Sequence, residues 1–393
     1  MQIRAAVLER SGNDGPFATT VPLTITTLDL DPPRSGELLV RIEAAGLCHS
    51  DLSVINGNRV RPMPMALGHE AVATVVTTGD ADDTLFAPGD RVVLTFLPAC
   101  GECVPCASGE AYLCARAAAA NGAGELLRGG RRLHRPNSSK PNSSKPHSSM
   151  DACEVHHHLG VSAFADHAVV DRRSAVKIDP DIPVEIAALF GCAVLTGAGA
   201  VFNSGALRPG ESVAIYGLGG VGLAALIGAV AGGATPVVAI DPSPEKRALG
   251  LELGAAGTFA PEDAEAQIEA LLGGKPDIVI ETVGKAAVLE QAYALTRRGG
   301  RVVTVGLPNP AERFSISPTA LVGDNKTIIG SYLGASIPAR DIPRYIALWR
   351  SGRMPVERLL SSVSPLSKIN ELFDILARGD AVRQVVIPHL EET

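Results

Sequence analysis

A glycine-rich turn between an apolar strand and an apolar helix constrains the fold of this chain more than any other feature. Residues 213–216 read VAIY, residues 217–222 read GLGGVG, and the apolar run LAALIGAVA follows. In such a turn Gly217 permits the sharp bend, Gly219 lets the backbone approach a pyrophosphate, and Gly222 lets the helix pack closely on the strand. Free N–H groups at the start of the helix can then bind phosphate. The pattern therefore predicts a bound dinucleotide.

An acidic residue at the end of the next apolar strand indicates which dinucleotide is bound. The strand PVVAI ends in Asp241, 24 positions after Gly217, close to the spacing of a ribose-binding acid. A carboxylate there accepts hydrogen bonds from the ribose hydroxyls and repels a 2′-phosphate, so NAD is favoured over NADP. Lys246 and Arg247 follow nearby, and Lys246 is a further candidate for cofactor binding.

Apolar strands alternate with Ala-rich helical stretches from about residue 190 to residue 332. This order predicts a doubly wound α/β domain with a parallel sheet. The chain up to about residue 115 is rich in Val, Ile and turn signals and is predicted to be mostly β. Residues 213–240 carry no charge, but their glycines and Pro236 favour strand, turn, helix and strand over a membrane helix.

Charge and cysteine spacing exclude several classes of protein. The 393 residues carry a net charge of −7 without a basic stripe, so nucleic acid is not expected as a partner. The N-terminus lacks the apolar core of a signal peptide. Four of the seven cysteines lie within fifteen positions, which indicates metal ligands rather than disulfides. We therefore expect a cytoplasmic protein without membrane association.

The four clustered cysteines predict a structural zinc site. The thiolates of Cys100, Cys103, Cys106 and Cys114 can close one tetrahedral shell that leaves no position for water. An iron–sulfur cluster and free thiols remain as alternatives.

Three more candidate ligands lie far apart in the sequence, namely Cys48 in GLCHSD, His69 in GHE and Cys192 in FGCAVLTG. Each alone is compatible with an ordinary buried residue. Together they would supply two thiolates and an imidazole and would leave a fourth position open for a water or a substrate.

These motifs, taken in order, resemble one family. GLCHSD, GHE, the four-cysteine segment, GCAVLTGAGA and GLGGVG occur as in the zinc-dependent alcohol dehydrogenases of the medium-chain dehydrogenase/reductase family. The resemblance runs from about residue 30 to residue 385 and omits only the serine-rich repeat PNSSKPNSSKPHSSM at residues 136–150. Alcohol dehydrogenase is itself the known example of a catalytic zinc held by two cysteines and a histidine.

The resemblance implies two domains. A GroES-like, mostly β catalytic domain would span 1–189 and 333–393, with a structural zinc lobe at 96–116 and a low-complexity loop at 136–150. A Rossmann NAD-binding domain would span 190–332. Two zinc ions per subunit and a homodimer or homotetramer are implied as well.

The resemblance also implies roles for individual residues. Cys48, His69 and Cys192 would be the catalytic zinc ligands, Asp51 would be the carboxylate that orients His69, and Glu70 would be an acid beside the zinc. Ser50 would be the hydroxyl that takes the alcohol's proton, and Phe96 would be a wall of the substrate pocket. The cofactor would be contacted at its pyrophosphate by His49 and Arg383 and at its nicotinamide by Thr196 and Val221.

The implied reaction is reversible hydride transfer between a primary or aromatic alcohol and NAD through a zinc-bound alkoxide, with aldehydes reduced in reverse. The sequence departs from many members of the family at Ser53, where a histidine ends a proton relay. We therefore expect proton release through water and a stronger dependence of the rate on pH or buffer.

Two other functions remain open. A thiol-adduct-dependent formaldehyde dehydrogenase, using glutathione or mycothiol, would need an anion pocket. Arg128, Arg131 and Arg132 could form it, although a solvated face is the favoured interpretation. A non-catalytic zinc-binding protein on the same fold is the other alternative.

Two further features receive no function. The run from His156 to His158 is interpreted as a chance polar cluster rather than a third metal site, since neighbouring side chains on a strand point to opposite faces. Cys153 is assigned no role, although its position in the predicted loop makes it a candidate for oxidation.

Overall fold

The computed structural model describes residues 1–136 and 154–390. The described residues form two compact units, one from Met1–Cys192 with Leu360–Thr393 and the other from Ala193–Leu359. Apart from Pro136, the serine-rich repeat lies outside the described residues, and so does Cys153.

The strands are β1 Gln2–Leu8, β2 Leu23–Leu30, β3 Glu37–Gly46, β4 Met65–Ala66, β5 Glu70–Thr78, β6 Arg91–Leu94, β7 Leu133–His134, β8 Glu154–His157, β9 His167–Asp171, β10 Ala175–Lys177, β11 Val213–Tyr216, β12 Val237–Ile240, β13 Gly257–Phe259, β14 Ile278–Glu281, β15 Arg301–Thr304, β16 Thr327–Gly330, β17 Leu360–Pro365 and β18 Arg383–Ile387.

The α-helices are α1 Phe17–Thr20, α2 His49–Ile55, α3 Val104–Ala107, α4 Ala115–Ala123, α5 Val184–Ala187, α6 Ala193–Gly199, α7 Gly220–Ala231, α8 Pro244–Glu252, α9 Ala264–Leu272, α10 Ala286–Leu295, α11 Pro318–Asp324, α12 Pro338–Arg350 and α13 Ile369–Arg378. Short 3-10 turns lie at Ala111–Leu113, Arg172–Ser174, Ala188–Gly191, Pro261–Asp263, Tyr332–Ala335, Val356–Leu359 and Leu366–Lys368, and a π-helical turn at Ala200–Ser204.

The first unit is built from β-sheets, as predicted for a GroES-like domain. Strands β1, β2, β7, β8 and β4 close into a barrel, and a second sheet has the order β10-β6-β5-β3-β18-β17, with β9 also paired to β3. Strand β3 is buried along its whole length except at Arg41 and Glu43. Such an apolar strand belongs at the centre of a sheet that is covered on both faces, and there it carries the residues that lead into the site.

The last strand of the chain returns to this sheet. Strand β18 pairs antiparallel with β3, so that Val385 faces Gly46, and the Leu47 amide donates to the Gln384 carbonyl at 2.9 Å. Residues 337 and 339 positions apart therefore meet where β3 ends, and Arg383 is brought beside the segment that carries Cys48.

The second unit is a doubly wound domain with a parallel sheet, as predicted. Its strands are all parallel and lie in the order β13-β12-β11-β14-β15-β16. This is the strand order of a dinucleotide-binding fold, whose ligand crevice lies where the order reverses, here between β11 and β14. All four residues of β11, Val213–Tyr216, are buried.

The charge-free run at 213–240 consists of β11, α7 and β12, so its interpretation as strand, turn, helix and strand is confirmed. In the described part of the chain no single helix is long and apolar enough to cross a membrane, although Val184–Gly191 and Ala193–Ser204 would pass that test as a pair by length and composition.

The second boundary between the units lies at Leu360 and not at residue 333. The segment after residue 333 is held within the second unit, because the Ser336 hydroxyl donates to the Leu195 carbonyl at 3.1 Å and the Asn203 amide donates to the Gly334 carbonyl at 3.1 Å. Helix α12 follows this anchor. No local pattern in the sequence indicates the unit to which this helix belongs.

Candidate active site

Three candidate ligands meet at strand ends in the first unit. Cys48 follows β3 and precedes α2, whereas His69 directly precedes β5. Strands β3 and β5 are antiparallel neighbours with Gly46 opposite Glu70, so their adjoining segments carry Cys48 and His69 to the same place. Both strands are apolar enough to be buried, and the ligands are therefore buried with them.

Cys192 reaches the same place through a tight backbone contact. It follows the turn Ala188–Gly191, and a Cβ atom on Gly191 would lie 2.4 Å from the Leu94 carbonyl oxygen at the end of β6. Only glycine allows this approach without a shift of the backbone. Glycine at 191 therefore helps to bring the third sulfur to the end of the sheet.

The separation of these ligands fits one zinc ion. The ligand atoms of Cys48, His69 and Cys192 lie within 4.8 Å of one another, and Cys192 Sγ is 3.6 Å from His69 Nε2. With bonds of about 2.3 Å to sulfur and about 2.0–2.1 Å to nitrogen, tetrahedral zinc separates these two atoms by about 3.6 Å. The cluster can therefore hold a zinc ion with three protein ligands.

Asp51 holds the opposite edge of the His69 ring. His69 Nδ1 lies 3.2 Å from Oδ1 and 3.1 Å from Oδ2 of Asp51, and the Gly68 amide donates to Oδ1 at 3.1 Å. Although burial opposes it, the charge of His69 and hydrogen bonds from His158 and His69 lower the pKa of Asp51 to about 2. An ionised Asp51 thus fixes the ring so that Nε2 faces the two thiols.

Glu70 and Arg383 form a buried pair beside this cluster. Arg383 Nη1 donates to the Leu47 carbonyl at 3.0 Å and lies 3.4 Å from Glu70 Oε2. Burial raises the pKa of Glu70 to about 7, against the charge of Arg383. A Cβ atom on Gly46 would lie 2.9 Å from the Glu70 carboxyl, so the glycine makes room for the acid. Arg383, expected at the cofactor pyrophosphate, thus has a carboxylate partner in this structure.

Helix α2 carries the other expected site residues near Cys48. Ser50 is partly buried and His49 is exposed on its first turn. The Ser53 hydroxyl donates to the His49 carbonyl at 2.8 Å, within the helix. The Phe96 ring lies edge-on to His69 with the centroids 5.6 Å apart, beside the ligand cluster.

The four-cysteine segment folds around a common point. Cys103 Sγ lies 3.4 Å from Cys106 Sγ and 3.9 Å from Cys114 Sγ, and Cys100 Sγ lies 4.0 Å from Cys106 Sγ. Tetrahedral zinc separates two sulfurs by about 3.8 Å. Backbone amides donate to two of the sulfurs, as from Cys103 to Cys100 at 3.3 Å. None of the four described cysteines is in a disulfide, and together their sulfurs fit a closed structural site.

The glycine turn of the second unit has the predicted shape. Gly217 has φ +87°, a conformation that favours glycine, and a Cβ atom on Gly222 would lie 1.7 Å from the Gly217 carbonyl oxygen. A Cβ atom on Gly219 would meet nothing within 4 Å, so that glycine leaves space in front of the turn. Thr196 lies on α6 and Val221 on α7, and these helices are neighbours, since a Cβ atom on Gly197 would lie 2.3 Å from the Val221 carbonyl oxygen.

Asp241 directly follows β12 and lies beside this turn. Its Oδ2 accepts from the Leu218 amide at 2.7 Å and its Oδ1 from the Ser243 amide at 2.8 Å. The carboxylate is therefore fixed at the edge of the crevice. Lys246 lies in the first turn of α8, where its backbone amide donates to the Ser243 hydroxyl, and Arg247 Nη1 donates to the Asp241 carbonyl at 2.7 Å.

The three arginines considered for an anion pocket all face carboxylates. Arg132 is buried and forms two hydrogen bonds with the buried Glu37, one at 2.9 Å and one at 2.5 Å. Arg131 pairs with Glu154, and Arg128 lies 3.3 Å from Asp171. The favoured interpretation as a solvated face was therefore wrong for Arg132, which forms a buried ion pair with Glu37.

The three consecutive histidines do not converge on one ion. His157 Nε2 accepts from the Arg132 amide at 3.1 Å, whereas His158 Nδ1 lies 3.0 Å from Asp51 Oδ1. His156 lies opposite Met65 on the strand β8, and His158 follows that strand. The interpretation as a chance cluster missed the role of His158, because nothing in the run HHH indicates its distant partner.

Comparison with known proteins finds relatives that match almost the whole chain. A family model described as an alcohol dehydrogenase GroES-like domain matches residues 34–180, and one described as a zinc-binding dehydrogenase matches residues 220–350. The chain is 37% identical over 388 residues to a geraniol dehydrogenase of Castellaniella defragrans, which covers 98% of this chain and 97% of that protein.

Two further relatives have the same extent. The chain is 34% identical over 392 residues to an NDMA-dependent alcohol dehydrogenase of Amycolatopsis methanolica, covering 98% of this chain and 99% of the relative. The crystal structure of a benzyl alcohol dehydrogenase from Acinetobacter calcoaceticus has a TM-score of 0.87 and 27% identity, covering 98% and 99% of the two chains.

Proposed function

This chain belongs to the zinc-dependent alcohol dehydrogenases of the medium-chain dehydrogenase/reductase family, and on that premise we propose that it oxidises a primary or aromatic alcohol with NAD. The reverse reaction would reduce the corresponding aldehyde. The observation that carries the proposal is the convergence of Cys48, His69 and Cys192 within 4.8 Å, with Asp51 behind the imidazole.

The metal chemistry follows from this ligand set. A zinc ion held by Cys48, His69 and Cys192 would supply Lewis-acid chemistry, which would lower the pKa of a bound alcohol. Asp51 keeps Nε2 of His69 directed at that ion, and the Ser50 hydroxyl on α2 is proposed to accept the proton of the alcohol. Glu70, neutralised in part by Arg383, is proposed as the acid beside the ligands.

The cofactor proposal depends on the second unit. NAD would supply the hydride acceptor, and the backbone at Gly219, where a Cβ atom would meet nothing within 4 Å, is open to the approach of its pyrophosphate. The buried Asp241 carboxylate supports NAD over NADP, because a 2′-phosphate there would meet a fixed negative charge. Lys246, Arg383 and His49 are proposed as further cofactor contacts, and Thr196 and Val221 as nicotinamide contacts.

The names of the relatives support the substrate class. Geraniol and benzyl alcohol are primary alcohols in which the alcohol carbon is bonded directly to an alkene or aromatic carbon. The Phe96 ring beside His69 offers an apolar wall to such a group. We therefore favour an unsaturated or aromatic primary alcohol over a short saturated one.

The decisive experiment combines metal analysis with an NADH absorbance assay on the purified full chain. We expect two zinc ions per chain and NADH formation with benzyl alcohol or geraniol. A Cys48→Ser variant should keep one zinc and lose activity. If the wild-type protein holds two zinc ions but forms no NADH with any alcohol, a non-catalytic zinc protein becomes the better description.

Parallel reactions distinguish the remaining alternatives. NDMA, named for one relative, should be tested as electron acceptor in place of free NAD, and turnover only with NDMA would overturn the proposal of NAD as the exchanging cofactor. Formaldehyde turnover that requires glutathione or mycothiol would favour a thiol-adduct enzyme. The carboxylate partners of Arg128, Arg131 and Arg132 argue against that alternative.

A further inference from the structure

The Asp51 carboxylate has a second imidazole beside it. His158 Nδ1 lies 3.0 Å from Asp51 Oδ1, and the His158 and His69 rings meet edge-on with centroids 5.3 Å apart. Asp51, His69 and His158 are all buried. Among the described residues, His158 Nδ1 has no partner at ideal hydrogen-bond angles, and Asp51 Oδ1 at 3.0 Å is the acceptor that lies within reach.

The backbone holds His158 firmly in this position. The His158 amide donates to the Ala66 carbonyl at 3.2 Å, and the Ala163 amide donates to the Gly68 carbonyl at 3.0 Å. The segment is therefore attached to the strand and turn that lead directly to His69.

The turn after His158 adopts an uncommon conformation. Leu159 has φ +53° and Ser162 has φ +54°, a region that side chains other than glycine seldom occupy. The Ser162 hydroxyl also accepts from the His158 amide at 3.1 Å. Such strained turns persist only where the surroundings hold them, and they concentrate at functional sites.

A second metal ion between Asp51, His69 and His158 does not explain the cluster. Nitrogen and oxygen ligands of tetrahedral zinc lie about 3.3 Å or more apart. Here the closest nitrogen–oxygen separations are 3.0 Å and 3.1 Å, and Asp51 Oδ1 also accepts from the Gly68 amide. These are hydrogen-bonding distances. Since an ionised carboxylate only accepts, the Nδ1 atom of His158 must be the donor.

We propose that His158 is a positioning residue of the catalytic zinc site, donating from Nδ1 to Asp51 so that this carboxylate stays aligned with His69. The inference rests on the proposed zinc site at Cys48, His69 and Cys192. A buried carboxylate that loses one donor is less stable as an anion and is free to turn away from His69. The zinc ligand would then lose the partner that orients it.

The test uses the full chain with two exchanges at position 158. His158→Phe keeps a flat ring but removes the N–H group. His158→Asn places its amide nitrogen three bonds from Cα, as Nδ1 is, and should restore the donor. His157→Gln is the matched control, because it alters the neighbouring buried imidazole while keeping an acceptor for the Arg132 amide.

Zinc retention is measured in competition with a chelator, together with the absorption spectrum of Co²⁺ bound in place of zinc. His158→Phe should weaken the second zinc site by about tenfold or more, in the range known for outer-shell ligands, and His158→Asn should stay close to the wild type. The cobalt spectrum should change only in His158→Phe. The four-cysteine site serves as an internal reference in every variant.

Three outcomes with the variants would overturn the inference. In the first, His158→Phe retains zinc as the wild type does. In the second, both exchanges at 158 weaken the site equally, which would indicate packing. In the third, His157→Gln weakens it as much as His158→Phe. A wild type that binds two zinc ions without oxidising any alcohol would refute the proposed function alone. A wild type that binds zinc only through the four cysteines would refute both.

Discussion

Ser53 lies on α2 at the position where a histidine would end a proton relay. A single substitution there can test how the proton of the alcohol leaves the site. Its hydroxyl donates to the His49 carbonyl, so the side chain is engaged in the helix rather than arranged to accept a proton. Without an imidazole at this point, we expect the alcohol proton to leave through water and buffer.

Ser53→His should therefore weaken the dependence of kcat on buffer concentration and shift the pH–rate profile, because imidazole exchanges protons near neutral pH. Ser53→Ala is the control and should behave as the wild type. The measurement is kcat against buffer concentration at several pH values. An unchanged pH–rate profile in Ser53→His would refute this route.

The buried imidazole of His157 makes the free energy of unfolding depend on pH in the acid range. Burial, helped by the charge of Arg132, lowers its pKa from 6.5 to about 3. The unfolded chain therefore binds a proton below about 6.5 that the folded chain does not bind, and stability falls as the pH drops toward 3.

The expected slope from this group is about 1.4 kcal/mol per pH unit, which amounts to about 2 kcal/mol between pH 7 and pH 5. In His157→Gln the loss over this range should be smaller by that amount. Denaturant unfolding of the zinc-loaded protein at both pH values provides the measurement. Equal losses in wild type and variant would show that His157 is not the responsible group.

At the scale of elements, two glycines of the turn between β11 and α7 serve different purposes. Gly222 is needed for packing of the backbone, whereas Gly219 is proposed to leave space for the cofactor. A Cβ atom on Gly222 would collide with the Gly217 carbonyl oxygen, whereas one on Gly219 would meet nothing in the protein. The two positions lie three residues apart and should respond differently to the same added methyl group.

Gly222→Ala should destabilise the second unit by about 1–3 kcal/mol or more, since backbone must move. Gly219→Ala should keep the stability within about 0.5 kcal/mol but weaken NAD binding by about tenfold or more, because the methyl group occupies the space for the pyrophosphate. Thermal unfolding and NAD titration give the two values. Unaltered NAD affinity in Gly219→Ala would contradict the proposed binding mode.

At the scale of the whole molecule, the chain leaves its first unit after Cys192 and returns at Leu360. The second unit therefore interrupts the first, and the returning strand β18 completes a sheet begun by β3. In the described chain, β16 has a partner on one side only, which leaves a sheet edge open. We propose this edge as a contact between subunits of the homodimer or homotetramer that the resemblance to the family implies.

Gly330 offers a clean test of that contact. The amides of Thr327 and Ser331 donate inward to β15, so by alternation the Gly330 amide points outward. Gly330→Pro would remove only this outward donor, and Gly330→Ala is the matched control because a Cβ atom there meets nothing within 4 Å. The proline variant should sediment as a smaller species. An unaltered assembly would place the interface elsewhere.

The local sequence pattern was sufficient to predict the structure where the interacting groups are close in sequence. The strand, the turn at Gly217 and Gly222 and the helix after it follow from a few consecutive residues, because backbone geometry alone dictates them. The four cysteines of the zinc lobe lie within fifteen positions, and their short spacing limits how far apart the sulfurs can be.

Only the tertiary structure decided which distant groups meet. The convergence of Cys48, His69 and Cys192 depends on the register of β3 with β5 and on the close approach at Gly191; resemblance to a family suggested it, but no spacing did. The Arg132–Glu37 pair, the contact of His158 with Asp51 and the boundary at Leu360 had no local signal at all. The physical reason is that sheet pairing brings together residues tens to hundreds of positions apart, whereas sequence periodicity reports only which face of an element is buried.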